Sequence, residues 1–576
     1  MSFYLIVNQA FTKIAKLKQV AIKNDLAIQQ YDFTDIDKTL FLFTANSSET
    51  AHYLKLDNGD CICTVGTFMY KGYYGNQALQ SAYQDISAQQ FKHQECIGHY
   101  NIIIKIQQKI HLYTDLLGAW KIYQSAQGEI SSSFYLLLEL QDKLSLNIQG
   151  VYEYILNGCT LGEKTIAQEI NSLPAEQTYI IDQHGNITRT DVSHSLLNQE
   201  NNQQKNMEEL LDDYSERLKN VFTQYQQLPN SQFRSALSGG FDSRLILASF
   251  LKTGTQPKLY VYGKETDADV VVAKNVAEVA GLNLDFIDKS KLPNQLEQQS
   301  FADIMERNLF IYDGLSYDGI VDNGNDYYDR LNRSANDKIL VNGSVGEIFR
   351  HFYYLSNCNI SIDDFIKSFH CRYDHQKMGD QFNEDEYRQG IKQEIQKTLK
   401  TEQTLLSREQ VEKLYPLLRA RYWSAKDMTN NHRFGLALYP FMEYQLIQGT
   451  STISFNKKLY GRFEAQLINS LAPELAACNS DYGFAFNTEP PAKYKLKTQL
   501  LTYQRPVWLR KNMYAFKNKR QTANPPEYLT DKYLKDVINA QYPYMTQYFK
   551  QISTLDNETL NRLVTIEYIA EKYNFS

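Results

Sequence analysis

The sequence predicts an α/β protein in which a β-rich α+β domain precedes a doubly wound parallel sheet with a helical C-terminal part. Three observations lead to this fold class. Short segments rich in Ile, Val, Tyr and Thr fill residues 1–197, a wholly polar stretch spans 198–206, and strand and helix patterns alternate after it. At 576 residues the chain is about four times a typical ~150-residue domain, so more than one domain is expected.

The first predicted domain covers residues 1–197. Its expected strands are CICTVGTFMY, YNIIIKI, KIHLYTD and TYIIDQHGNITR, with hairpin turns at DNGD and QHGN. No long amphipathic helix pattern interrupts these segments, so few helices are expected. The polar stretch 198–206 (NQENNQQKN) is then predicted to be a linker.

The second predicted domain covers residues 207–576. Apolar residues recur at helical spacing from Met207 to Tyr225, which predicts an amphipathic helix. SQFRSAL, KLYVYG and NLDFID then read as strands, and DSRLILASFLK and DADVVVAKNVAEVAG read as the helices between them. Strands that alternate with helices over so short a stretch predict a parallel sheet. Beyond about residue 290 the pattern is mostly helical and polar.

Composition excludes several classes of protein. The formal net charge of −6 offers no general attraction for nucleic acid or acidic lipid, and a 43% hydrophobic content excludes a wholly disordered chain. Seven cysteines without a dense framework favour a reducing, cytoplasmic compartment. The apolar run near the start is too short for a signal peptide, and no run suggests a transmembrane segment. Neither the histidines nor the cysteines show zinc-ligand spacing.

The motif with the clearest chemistry is Ser238-Gly239-Gly240-Phe241-Asp242-Ser243-Arg244, where a predicted strand turns into a helix. Two glycines let successive N–H groups point at one anion, and the helix N-terminus adds its positive end. Ser238 and Ser243 add hydroxyl donors, and Asp242 offers a carboxylate to Mg²⁺. No Gly-Lys-Ser/Thr follows, so this is not a Walker loop. The motif predicts a nucleotide site, although a bare Gly-Gly can also serve only a tight turn.

The motif resembles the pyrophosphate loop of the ATP pyrophosphatases, and its surroundings resemble the asparagine synthetase branch of that family. VYGKETDADVVVAKNVAEVAG, VNGSVGEIFRHFYYL, LYPFMEYQLIQGTSTISFNKKL (with Glu443 where Asp is common) and LINSLAPELA follow the order of that branch, over about 233–477. The resemblance implies an adenine nucleotide α-hydrolase-like fold. It also implies that ATP and Mg²⁺ bind, with Asp242 and Glu347 as metal ligands and with these residues at ATP: Leu237, Ser238, Gly239, Gly240, Asp242, Ser243, Arg244, Tyr262, Gly263, Asn342 and Gly343.

The first domain resembles, more weakly, the glutaminase half of the same enzymes, which implies an Ntn-hydrolase-like fold. GTFMYKG, Gly98-His99-Tyr100, YTDLLGAWKIY and SSSF follow its order. The family nucleophile is a cysteine exposed by removal of the initiator Met, and here Ser2 stands in its place. An N-terminal serine can act as a nucleophile, but no glutamine-binding segment is recognisable. We therefore expect a scaffold domain without glutaminase activity, as in β-lactam synthetase and lasso peptide cyclases.

Two further departures concern the predicted catalytic residues. Gly346-Glu347 stands where the family commonly has Asp-Glu, so Glu347 is expected either to bind metal or only to cap the next helix. The family's catalytic lysine has no counterpart between Ala476 and Gly483, and Lys493 and Lys495, with Lys497 close behind, are the nearest candidates.

The resemblance implies an ATP-dependent enzyme that adenylates a carboxylate, releases pyrophosphate and transfers the acyl group to an amine or ammonia. The expected substrates are a small-molecule or peptide carboxylate and an amine donor, which joined in one molecule would give a lactam; a homodimer remains open. Alternatives are a tRNA-modifying or sulfur-transfer enzyme, a non-catalytic ATP-binding scaffold or sensor, and amidation of a surface-polysaccharide or lipid-linked sugar precursor. The last alternative rests on the basic stretch 505–520, which a solvated face also explains.

Overall fold

A computed structural model of the chain describes residues 2–45, 51–184, 186–192, 195–197, 200–229, 232–334, 338–518 and 525–576. It has antiparallel sheets in the N-terminal part and a parallel sheet after them, so the predicted mixed α/β class is confirmed. Within the described residues, no helix is both long enough and apolar enough to cross a membrane.

The N-terminal part is built from two six-stranded antiparallel sheets, ordered β13-β11-β12-β1-β3-β2 and β15-β14-β10-β9-β5-β4, with a small sheet β7-β6-β8 beside them. Its strands are β1 (Ser2–Asn8), β2 (Leu26–Phe33), β3 (Lys38–Ala45), β4 (Ala51–Lys55), β5 (Cys61–Gly66), β6 (Met69–Tyr70), β7 (Tyr73–Tyr74), β8 (Cys96–Ile97), β9 (Tyr100–Ile106), β10 (Lys109–Thr114), β11 (Tyr123–Ser125), β12 (Ile130–Ser131), β13 (Ile170–Ser172), β14 (Gln177–Ile181) and β15 (Ile187–Asp191). Its helices are α1 (Ile14–Lys23), α2 (Gly75–Ser87), α3 (Phe134–Leu140) and α4 (Ile148–Asn157).

The alternating side chains of β9 show what covers each face of the second sheet. Ile103 lies in the main apolar core, whereas Ile102 and Ile104 lie in a second cluster with Ala78 and Leu79 of α2. Since successive side chains of a strand point to opposite faces, β9 is buried on both faces. The second sheet is therefore covered by α2 on one side and by the main core on the other.

The C-terminal part is organised around a five-stranded parallel sheet of order β18-β17-β16-β19-β22. The strands of this part are β16 (Gln232–Ala236), β17 (Lys258–Tyr262), β18 (Leu284–Ile287), β19 (Lys338–Val341), β20 (Ile360–Ser361), β21 (Leu405–Leu406) and β22 (Ala437–Leu438). Its helices are α5 (Met207–Tyr225), α6 (Phe241–Lys252), α7 (Ala268–Val279), α8 (Phe301–Ile311), α9 (Asn325–Ser334), α10 (Ile362–Phe369), α11 (Glu384–Leu399), α12 (Arg408–Leu414), α13 (Ala425–His432), α14 (Tyr444–Ile447), α15 (Phe455–Lys458), α16 (Arg462–Leu471), α17 (Pro473–Ala476), α18 (Ala492–Thr498), α19 (Val507–Asn518), α20 (Asp531–Leu534) and α21 (Asn557–Lys572).

The strand order locates the crevice of this sheet. From β16 the chain moves outward through β17 to β18, and it then returns to the other side of β16 with β19 and β22. Ligands of open α/β sheets bind outside the carboxyl ends of the strands where the order reverses in this way. In this protein that point lies between the ends of β16 and β19, after Ala236 and Val341.

Helix α5 begins at a capping box. The Asn206 side chain accepts a hydrogen bond from the Glu209 N–H, and the Glu209 carboxylate accepts one from the Asn206 N–H. Such a cap satisfies two backbone donors that a helix N-terminus otherwise leaves unpaired. The polar stretch before α5 makes specific contacts with the rest of the chain. Asn202 is buried, and its side-chain amide donates to the Gly449 carbonyl over 3.1 Å. Asn198 and Gln199 lie outside the described residues.

We expect Asn206→Ala to lower the free energy of unfolding by about 1 kcal/mol, because it removes the side-chain acceptor of this cap. Urea denaturation followed by circular dichroism measures the change. Lys219→Ala on the same helix is the control, since its exposed pair with Glu216 contributes little. Equal stabilities of the two variants would contradict the role given to the cap.

The two parts of the chain share one apolar core, and buried polar contacts also join them, of which Asp313 and Glu443 make two. Asp313, buried between the parts, accepts hydrogen bonds from the Ser133 hydroxyl (2.5 Å) and from the N–H groups of Phe134 and Tyr135 (both 3.1 Å), and it pairs with Arg433 at 2.6 Å. A carboxylate of the C-terminal part thus caps helix α3 of the N-terminal part.

Glu443 makes the second contact between the parts. Its buried carboxylate accepts from the Gly98 N–H at 3.0 Å and from the Tyr225 hydroxyl at 2.8 Å. Burial raises the pKa of this carboxyl, although nearby His99 opposes the rise. The acidic residue of the PFMEY segment therefore joins the two parts of the chain.

Candidate functional site

The Ser238–Arg244 segment forms the turn from β16 into α6, as the sequence predicts. The hydroxyls of Ser238 and Ser243 lie 3.0 Å apart, and the Ser243 hydroxyl also accepts from the Ser238 N–H at 3.0 Å. Gly240 is the N-cap residue of α6, and its N–H donates to the Ser238 hydroxyl at 3.3 Å. Two hydroxyls and a helix N-terminus therefore gather at the carboxyl edge of the sheet.

Two carboxylates crowd the glycines of this turn. The Gly239 N–H donates to Asp269 Oδ1 at 3.0 Å. A Cβ at Gly239 would lie 2.7 Å from the Asp481 Cβ, so no larger residue fits there without a shift of the Asp481 segment. Burial, and then neighbouring Asp269, raises the pKa of Asp481. An N–H group expected to hold an external anion thus already binds a carboxylate of the chain itself.

Beside the turn lies a cluster of the half-buried Asp242 and Glu347 and the buried Arg350 and Glu464, which we call the Arg350 cluster. The Arg350 Nη2 donates to both Asp242 oxygens, at 2.8 and 2.6 Å. Its Nε lies 3.2 Å from Glu464 Oε2, and its Nη2 lies 3.6 Å from Glu347 Oε1. Glu347 also accepts a 2.5 Å hydrogen bond from the Tyr415 hydroxyl. One guanidinium therefore bridges three carboxyl groups.

Burial controls protonation in this cluster. It raises the pKa of Asp242, against the opposing effect of Arg350, and it raises the pKa of the fully buried Glu464 well above the usual range. Two adjacent carboxyls in a desolvated site do not both ionise near neutral pH. We therefore assign a proton to Glu464 and a negative charge to Asp242, which Arg350 neutralises.

The Arg350 cluster does not fit Mg²⁺ in this arrangement. Both oxygens of Asp242 face a guanidinium, and the described residues include no group of three or more His, Cys, Asp or Glu side chains that could hold a metal ion. Gly346 leaves room for this contact, since a Cβ there would lie 1.9 Å from Asp242 Oδ1. A fixed cation of the chain thus stands where the resemblance implies a metal.

Arg244 lies away from the loop surface. Its fully buried guanidinium donates to the carbonyl groups of Leu475 (3.2 Å), Cys478 (2.8 Å) and Asn479 (3.0 Å), and it lies over the Phe486 ring. Burial lowers its pKa to about 10. In this structure Arg244 fixes the segment that carries Asp481 rather than facing the crevice.

The remaining predicted nucleotide residues lie at the ends of three neighbouring strands. Leu237 is buried just after β16. Tyr262 ends β17 and donates to Asp329 Oδ1 at 2.6 Å, and Gly263 follows with a φ of 146°. Asn342 follows β19 and accepts from the Ser344 N–H and hydroxyl, and Gly343 comes next. The structure thus brings these positions to one edge of the sheet, as predicted.

The two predicted catalytic lysines lie on α18 and make no described contact with the Arg350 cluster. Lys493 is exposed, and the Lys495 ammonium pairs with Glu489 at 2.8 Å. Tyr494 between them packs edge-on against Phe484 and Tyr482. The helix therefore turns an aromatic residue toward the segment that carries Asp481.

The basic stretch 505–520 is partly engaged in contacts within the chain. Arg510 donates to the Tyr354 carbonyl at 2.5 Å, and Lys511 pairs with Glu384 at 2.6 Å, whereas Trp508 is exposed. Lys519 and Arg520 lie outside the described residues, and no side-chain position is described for Lys517.

Ser2 lies on β1 at the wall of a cavity between the two parts of the chain. The cavity holds about 940 Å³ of empty space, and its wall includes Lys121 and Lys426. Burial lowers the pKa of Lys121 to about 7 and that of Lys426 to about 8. The expectation that the N-terminal part lacks glutaminase activity stays a prediction.

Sequence reasoning missed Arg350, Glu464, Asp269 and Asp481. Arg350 carried a signal, since it follows Glu347 by three residues in the same motif. The others are supplied by separate segments, and their part in the site follows only from the fold.

No protein-family model matches the chain, and no curated protein sequence matches it. Among solved structures, the chain is similar to glutamine phosphoribosylpyrophosphate amidotransferase from B. subtilis complexed with ADP and GMP, with a TM-score of 0.23 and 8% identity over 64% of this chain and 77% of that chain. It is similar in the same measure (TM-score 0.22, 8% identity, 64% and 77%) to a structure described as the allosteric regulatory enzyme of purine biosynthesis. Likenesses of this size carry no argument about activity, and the asparagine synthetase-like family is not confirmed by them.

Proposed function

We propose that this protein is an ATP-dependent enzyme that activates a substrate carboxylate as an acyl-adenylate and joins it to an amine. The observation that supports this best is the Ser238–Ser243 turn at the point where the strand order reverses. Its two hydroxyls and the N-terminus of α6 suit the phosphates of a nucleotide, and Tyr262 and Asn342 at the neighbouring strand ends suit its nucleoside part.

In the proposed reaction an oxygen of the substrate carboxylate forms a bond to the α-phosphorus. The bond from that phosphorus to the bridging oxygen of the β-phosphate breaks, and pyrophosphate leaves with the electron pair. An amine then attacks the acyl carbon, AMP leaves, and the amine loses a proton. The Arg350 guanidinium pairs with Asp242 of this turn, and we assign it the stabilisation of negative charge on the reacting phosphate. No step is assigned to Mg²⁺, because the Arg350 cluster does not fit it.

A non-catalytic nucleotide-binding protein is the second candidate. Two observations favour it: the Gly239 N–H already binds Asp269, and Asp481 lies in the segment where the resemblance implies a lysine. Additional carboxylates near a triphosphate weaken its binding, and without a cation to reach the leaving group turnover is slow.

The test is nucleotide product analysis of the purified protein with Mg-ATP and a fractionated small-molecule extract of the source cells. We expect extract-dependent AMP and pyrophosphate, and we expect Asp242→Ala to lower their rate at least about 100-fold, because Arg350 loses the partner that positions it. Asp212→Ala, an exposed carboxylate of α5, is the matched control. ADP and phosphate as products would refute α-phosphate attack, and ATP binding without turnover would favour the second candidate.

A further inference from the structure

A second cleft lies away from the Ser238–Ser243 turn, where α4, α10 and α21 meet the helical stretch Arg408–His432. It holds about 1620 Å³ of empty space, open in part to solvent. The middle of this stretch, Tyr415–Ser424, is π-helical. Segments of this kind are uncommon and recur at functional sites. Arg372 and Arg419 are two of the three arginines that line the cleft.

Within the described part of the chain, neither of these guanidiniums has a hydrogen bond or an ion pair. Burial, and in each case a nearby arginine, lowers the pKa of both. Arg562 of the same cleft shows the contrast, since it donates to the Tyr317 carbonyl at 2.6 Å and pairs with Glu558 at 3.2 Å. The Arg419 side chain is half-buried and that of Arg372 is exposed. A half-buried guanidinium without an anion destabilises a fold, so Arg419 is in place for an anion that comes from outside, and Arg372 adds a second positive charge to the same cleft.

Aromatic rings form the wall around Arg419. Its guanidinium lies 3.5 Å from the centre of the Trp423 ring and 5.8 Å from that of Phe352. The Trp423 ring in turn lies 4.1 Å from that of Tyr317. A guanidinium stacked on a ring keeps its N–H edge free for a planar acceptor such as a carboxylate. The same rings offer an apolar surface to the body of the ligand.

The cleft also has acidic side chains, which limit the charge that the ligand can carry. Asp318, Asp556 and Glu558 line it, and burial raises the pKa of Asp318 to about 6. Where these groups are ionised, they repel a phosphate dianion more strongly than a carboxylate monoanion with an uncharged body. We propose that this cleft is a binding site for a carboxylate-bearing ligand with an aromatic or apolar body, whose carboxylate is held between Arg372 and Arg419.

The cleft adjoins the Arg350 cluster through two side chains. The Phe352 ring stacks on that of Tyr415 with a centroid distance of 4.3 Å, and the Tyr415 hydroxyl donates to Glu347. Packed side chains therefore connect the cleft to the Arg350 cluster. The binding proposal goes beyond the proposed function and does not depend on it, since its test contains no nucleotide.

The probes are phenylacetate and phenylacetamide, which share shape and differ in charge, and inorganic phosphate as a third. Titration of the full chain, followed by the ligand's NMR signals, gives each dissociation constant. We expect phenylacetate to bind the wild-type protein at least about 10-fold more tightly than phenylacetamide, since the amide cannot form charge-assisted bonds. Arg372→Gln and Arg419→Gln should each remove most of that difference. Arg419→Lys, which keeps the charge but not the planar fork, should retain part of it.

Arg189→Gln, an exposed arginine of β15, is the matched control and should leave all three constants unchanged. Because the comparison between the two phenyl compounds needs no variant, a failure of Arg419→Gln to fold does not affect it. Equal binding of phenylacetate and phenylacetamide overturns the proposal. So does a preference that survives in both folded Gln variants, and so does phosphate that binds as tightly as phenylacetate.

Discussion

Asp313→Asn should lower the free energy of unfolding by about 3–5 kcal/mol, the range found when one partner of a buried ion pair is removed. The Asp313 carboxylate serves three donors of the N-terminal part and the Arg433 guanidinium at once. An amide of the same size is neutral and has only one acceptor oxygen, so it leaves Arg433 uncompensated. Urea denaturation at pH 7 measures the loss. The control is Asp212→Asn, which should change stability by less than about 0.5 kcal/mol.

The pH dependence of this loss has a defined sign. Burial alone would raise the pKa of Asp313, but Arg433 and Lys426 together hold it below its usual value. A carboxyl with a lowered folded pKa stabilises the fold above its unfolded pKa, about 3.9, and that contribution disappears as pH falls through the folded value. The gap between wild type and Asp313→Asn should therefore be full at pH 7 and shrink below about pH 4. A gap that grows on acidification would contradict the assignment.

Arg350→Met should produce a loss of similar size, also about 3–5 kcal/mol at pH 7, because it leaves Asp242 and Glu347 beside Glu464 without a counter-charge. Methionine preserves much of the apolar contact that the arginine stem makes. Carboxyls with a raised folded pKa oppose folding when they ionise, so stability falls as pH rises through their titration. The loss in Arg350→Met should therefore shrink as pH falls from 8 to 5, the same direction as for Asp313→Asn but at a higher pH.

Thermal unfolding of Arg350→Met with and without millimolar Mg²⁺ tests whether the Arg350 guanidinium occupies the position of a metal ion. If it occupies a cation position, Mg²⁺ should raise the melting temperature of the variant and leave that of the wild type unchanged. Arg189→Met, at an exposed position, is the control. A wild-type protein stabilised by Mg²⁺ to the same extent would show that Arg350 does not exclude the metal.

Local sequence patterns predicted the helices and strands whose formation depends mainly on neighbouring residues. The bounds of α5 match the apolar periodicity from Met207 to Tyr225, and β16, β17 and β18 lie within the predicted strand segments SQFRSAL, KLYVYG and NLDFID. Strands β19 and β22 were harder, since they are short and widely separated from β16 along the chain. Their place in the sheet depends on pairing between distant segments, which periodicity does not encode.

The candidate site also combines residues that are close in the sequence with residues from distant segments. The Ser238–Ser243 turn was predictable because its chemistry is contained in six consecutive residues. Arg350, Glu464 and Asp481 reach it from three other segments, so only the fold shows that a guanidinium meets Asp242 and that carboxylates border Gly239. The cleft around Arg419 combines still more segments, and no single one of them carries a recognisable motif.

The apolar core that runs unbroken through both parts of the chain bears on whether either part could persist without the other. Each part covers apolar residues of the other. Loss of the N-terminal part would expose those residues to water, which is unfavourable, and would remove helix α3, which the Asp313 carboxylate paired with Arg433 caps. Selection for a folded C-terminal part is then enough to retain the N-terminal part. Its residues are free to diverge wherever they do not face that shared interior.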